Sequence, residues 1–62
     1  MTAGQKMREL RGERTKQEIA DAIGISVSAY IKYERDERVP RDDVKRLIAK
    51  HFNVSVASIF FA

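Results

Sequence analysis

The sequence has no cysteine and only one histidine among its 62 residues. Disulfides and thiolate metal sites are therefore excluded, and His51 alone cannot make a metal site. No apolar run approaches the ~20 residues needed to span a bilayer. The opening, Met1 to Lys6, lacks an apolar stretch behind a basic start, so no secretory signal is expected there. The expectation is a soluble, cytoplasmic protein with no membrane partner. Repeats, low-complexity tracts and linkers are also missing, which leaves a single domain over residues 1–62. A chain this short forms a marginal core. Without staples it depends on economical helix packing, with dimerisation as a further aid.

Enzyme readings fail on inventory. There is no Ser-His-Asp arrangement, no phosphate loop and no metal cluster. Glu9, Glu13 and Glu18 are spaced as helix-surface or capping carboxylates. A chain of this length can hardly build a cleft for acid–base chemistry. No cofactor and no small-molecule ligand are expected. The net charge of +3 permits a nucleic-acid partner without requiring one.

What is present spells short helices, punctuated by Gly4, Gly12, Gly24 and Pro40. The first helix is expected over Ala3 to Arg11, with Met7 and Leu10 on one face and Gly12 as its stop. Thr15-Lys-Gln-Glu18 is a capping box for the second, in which Ile19, Ala20 and Ile23 recur at helical spacing. Gly24 suits the left-handed residue that ends it. Ser26 caps a third helix from Val27 to about Arg35. Tyr30 and Tyr33 face inward on it, with their hydroxyls expected at the rim of the core. Asp36 is a plausible left-handed terminator.

Val39-Pro40 marks a loop. A fourth helix carries Asp42 and Asp43 in its first turn, where the helix dipole favours negative charge. Val44, Leu47, Ile48 and Phe52 form its expected apolar stripe, Lys45, Arg46 and Lys50 its wet face, and His51 and Asn53 its end. Ser55 caps a fifth, carrying Val56, Ile59 and Phe60. Residues 54–61 are β-branched and aromatic enough to be ambiguous. Helices shorter than ~12 to 15 residues are marginal alone in water. These must share one core, which makes the fold an all-α, compact five-helix domain. The apolar tail from Ile59 to Ala62 completes that core, forms a dimer interface or lies exposed.

Helices two and three form a specific arrangement over residues 16–35. A tight turn between two helices that cross at about 90 to 120° needs a small residue at the crossing, which Ala20 supplies. The turn itself needs positive φ, which Gly24 supplies. Ile19, Ile23, Ile25, Tyr30 and Tyr33 then point inward. Val27, Ser28, Ile31, Lys32 and Arg35 are left as an outer face.

With these residues the chain resembles the lambda-repressor/Cro-type helix-turn-helix domains, the XRE family. The resemblance runs from Met7-Arg-Glu-Leu-Arg11 through Thr15 to Arg35, then by Pro40 to Asn53-Val-Ser-Val56 and Ile59-Phe60. The link Gly12-Glu-Arg14 is shorter than the common family form. Asp36 stands where glycine is usual, Lys16 where glutamine often opens helix two, and Asp42 where an apolar residue is common.

The resemblance implies a transcriptional regulator, a bacterial or phage repressor, binding double-stranded DNA as a homodimer on a near-palindromic operator. It implies base contacts by Val27, Ser28 and Lys32, with Ile31 one turn on from Val27. Lysine donates to guanine O6 and N7, and valine packs on a thymine methyl. Thr15, Lys16, Gln17 and Ser26 fall at helix N-termini suited to phosphates, and Arg35, Arg38 and Arg41 are candidates for backbone contacts. Arg11 and Glu34 match a structural pair tying helix one to the end of helix three. One alternative stays open at this point. Val27 and Ile31 fit a protein-binding patch as well as thymine contact, so the same fold could serve as a protein-interaction module, antitoxin-like or anti-regulator.

Overall fold

The computed structural model describes residues 1–61, and Ala62 at the end of the apolar tail lies outside the described residues. Five helices follow one another: α1 (Ala3–Arg11), α2 (Lys16–Ile23), α3 (Val27–Glu34), α4 (Asp42–Phe52) and α5 (Val56–Phe60). No strand occurs among the described residues, and the ambiguous stretch forms α5 behind its Ser55 cap.

The ends of these helices are set by local chemistry. Thr15 accepts from the Glu18 amide while Glu18 reaches back to the Thr15 amide. Gly24 takes φ 91° and closes α2, with its N–H and that of Ile25 both donating to the Ala20 carbonyl. Ser26 accepts from the Ala29 amide and starts α3. α3 ends one residue before the expected Arg35, which caps it; Asp36 then takes the left-handed conformation at φ 59°. Asn53 does the same after α4 at φ 58°.

The core is built from Met7 of α1, Ile19, Ala20 and Ile23 of α2, Tyr30 and Tyr33 of α3, Val44, Ile48 and Ala49 of α4, and Ile59 of α5. α3 packs on α1 and α2, α4 on α2 and α5, and α5 returns to α1. Burial of these side chains supplies the drive that single short helices lack.

Four expectations need correction. Leu47 is 45% exposed and does not belong to the buried stripe of α4. Ala49 completes that stripe instead, which turns the buried face away from Leu47. Lys45 is not simply wet: its ammonium sits 5.5 Å from the centre of the Phe60 ring and 5.0 Å from that of Phe61. The Tyr30 hydroxyl is not at a rim, because Tyr30 is wholly buried. Gly4 does not divide helices but lies within α1.

Gly4 is there for close approach. A Cβ at this position would overlap the backbone carbonyl of Glu34, so only glycine lets α1 lie against the end of α3. Asp36 fastens the contact. Its carboxylate accepts from the Gly4 amide at 3.0 Å and from the Thr2 hydroxyl at 2.7 Å. Thr2 is itself the N-cap of α1, in a reciprocal capping box with Gln5.

Candidate nucleic-acid interface

The turn between α2 and α3 leaves the outer side of α3 free of neighbouring helices. Ser28 and Lys32 are exposed there. Val27 and Ile31 are half-buried, and Val27 leans on the edge of the core. The apolar part of this face is therefore narrower than the sequence pattern implies. Its polar part, Ser28 and Lys32, stands clear.

α3 is held from behind by a buried ion pair. Arg11 donates from Nε to Glu34 Oε2 at 2.7 Å and from Nη2 to Oε1 at 3.2 Å, while Nη1 donates to the Arg14 carbonyl at 2.8 Å. Glu34 is 2% exposed, and among the described residues this fork is its ion pair. The hydrogen bond to Glu34 holds the Arg11 guanidinium even more firmly protonated than usual. The Tyr30 hydroxyl is buried beside the pair and, among the described residues, has no partner in ordinary hydrogen-bond geometry. Burial, and after it the neighbouring Glu34 carboxylate, push its phenol far above the ordinary value.

The phosphate candidates fall into two groups. Lys16, at the start of α2, and Arg35, at the end of α3, line one groove together with Arg8, Ile31 and Glu34. Ser26, Arg38 and Arg41 line a second groove beside the start of α3, with Ile25, Tyr33 and Val39. Arg35 and Arg41 make only loose exposed pairs, to Glu37 at 3.6 Å and Asp43 at 4.0 Å, which in solution are worth little. Two residues are less available than their positions suggest. The Gln17 amide donates to Asp21 Oδ1 at 2.8 Å, and the Thr15 hydroxyl both accepts from the Glu18 amide and donates to its carboxylate. Arg8 carried no expectation, because nothing in sequence spacing places α1 beside Lys16 and Arg35.

His51 lies at the end of α4, edge-on to Phe52, with Arg14 Nη1 3.4 Å from its Nε2. That cluster is remote in sequence from the outer face of α3. No described helix is long and apolar enough to cross a membrane.

Comparison with known proteins then decides the family, since the helix-turn-helix domain matches residues 5–59. The chain belongs to the helix-turn-helix family. The likeness to its XRE type, a type of DNA-binding regulators and not of enzymes, is borne out. A curated relative is the cryptic phage CTXphi transcriptional repressor RstR of Vibrio cholerae, 32% identical over 56 residues. The match covers 87% of this chain and 50% of RstR, so the chain spans about half the length of that relative. No solved structure matches significantly.

Proposed function

We propose that this helix-turn-helix domain is a sequence-specific transcriptional repressor that reads the major groove of DNA with α3. The observation that carries the reading is the outer side of α3. Its exposed Ser28 and Lys32 are flanked on both sides by grooves lined with cations. The likeness to a phage repressor supports the same reading.

Lys32 donates to a guanine edge, Ser28 makes a permissive contact, and Val27 and Ile31 pack on thymine methyls. Lys16, Arg35, Arg38 and Arg41 grip the phosphates, joined by the Ser26 hydroxyl, Gln17 and Thr15. These contacts supply most of the affinity and make it salt-dependent. The domain works in the cytoplasm as a homodimer on a near-palindromic operator. Its two copies of α3 enter successive major grooves about 34 Å apart.

Selection from a random pool of duplexes at moderate salt tests this. Enrichment of an inverted repeat supports the dimeric reader. A lone half-site supports the reader and removes the dimer. A folded protein that enriches nothing overturns the proposal in favour of a protein-binding surface on α3.

A further inference from the structure

The groove that joins α1, α2 and α3 has a composition that ordinary surface solvation does not account for. Arg8 from α1, Lys16 from α2 and Arg35 from the cap of α3 converge on one concavity of about 190 Å³. Among the described residues neither Arg8 nor Lys16 pairs with a carboxylate, and Arg35 has only the loose contact to Glu37. One carboxylate lines the groove, Glu34, and Arg11 already neutralises it from behind. The Arg8 guanidinium rests against the Glu34 carbonyl at 3.5 Å, which orients it but offers no counter-charge. Three cations, from α1, α2 and the cap of α3, thus share a hollow with no free anion among the described residues. Ile31 forms part of its wall, and an apolar wall strengthens attraction to any anion that enters.

The geometry points to a seat for a single phosphate, completed by Arg8, that takes one backbone phosphodiester of the duplex. This rests on the DNA-reading function proposed above and adds a contact from α1 to it. The position favours the duplex over a free anion. Ile31 and Arg35 lie on the same side of α3, one turn apart, so the groove continues the outer face carrying Lys32. A phosphate seated there flanks the bases that the second turn of α3 meets. Arg8 is then a register residue: it fixes which phosphate is gripped, and it reads no base.

The test uses the whole chain and the duplex enriched by selection. Arg8→Gln should lower the salt slope of binding by about one for each copy of the domain bound, whereas Arg8→Lys should keep it. Between 50 and 200 mM salt, wild-type affinity should then fall roughly three- to fourfold more than that of Arg8→Gln for each copy bound, and about tenfold more for a dimer on an inverted repeat. Arg8 is exposed, so both variants should melt with the wild type. Next, each phosphate in turn is replaced by a neutral methylphosphonate. At one position in each half-site the replacement should weaken wild type clearly more than Arg8→Gln, which keeps Lys16 and Arg35 there; at every other position it should weaken both alike.

Equal loss at all positions overturns the seat, as does an unchanged salt slope in Arg8→Gln. Inorganic phosphate that saturates the groove without DNA, through Arg8, would reassign it to a free anion and overturn the duplex contact. Wild-type protein that binds no duplex brings down the DNA reading itself, and this is seen before any variant is made.

Discussion

At the scale of single residues, two side chains separate aim from support. Lys32 is exposed on the face argued to read bases. Lys32→Ala should relax preference at one operator position, costing about 1 to 3 kcal/mol there. Lys16→Ala should weaken all duplexes alike and flatten the salt slope. Titrations against the enriched duplex and single-base variants separate the two patterns.

Tyr30 tests support. Its hydroxyl is buried without a partner among the described residues, so Tyr30→Phe should not destabilise the fold at neutral pH and should stabilise it by up to about 1 kcal/mol. Its raised pKa also has a sign. Below pH 10.0, the ordinary tyrosine value, the phenol is protonated in both folded and unfolded chains. As pH rises beyond that, the unfolded chain releases the proton while the folded chain holds it, so stability falls. Urea melts between pH 9 and 11, on the order of two units spanning that value, should show a shallower decline in Tyr30→Phe. Equal slopes would mean that the burial of the phenol is not felt.

At the scale of helices, the two kinds of glycine should behave differently. Gly4→Ala places a methyl into the Glu34 carbonyl and should cost more than about 2 kcal/mol, because backbone must move. Gly24→Ala meets no atom and bears only the strain of positive φ, about 1 kcal/mol. Denaturant midpoints of the two variants check the order. The same contrast explains what the sequence could reveal. Thr15 with Glu18, Ser26 and Asn53 act on amides a few residues away or on their own φ, so their roles are written locally, whereas of Asp36 only the left-handed φ is local and its bonds to Gly4 and Thr2 are not. Gly4 answers to a carbonyl some thirty residues away, and Arg8 to helices whose approach no spacing encodes. Leu47 misled because it satisfies helical periodicity, while the choice of face was made by Ala49 against neighbouring helices. The Thr2-x-x-Gln5 box was legible by its own signature and stands outside the expected caps.

At the scale of the whole molecule, the candidate interface depends on how α3 is mounted. Its last turn is fixed to α1 at two places, Arg11 with Glu34 and Gly4 with Asp36. Gly4 and Arg11 are separated by about 10 Å along the helix axis at the usual rise. Such a mount acts as a bracket, and α3 is the pointer that it carries. The eight residues of α3 make a pointer about 12 Å long, so a tilt of about ten degrees moves its free tip by about 2 Å. That is enough to break a hydrogen bond to a base. Asp36→Gly relieves a left-handed backbone while losing the two bonds to α1, so the two effects nearly cancel in stability. They do not cancel in angle. The variant should melt within about 1 kcal/mol of wild type yet discriminate less sharply between the enriched duplex and its single-base variants. The bracket therefore makes sequence discrimination a mechanical tolerance, one that can be lost in a protein that remains fully folded.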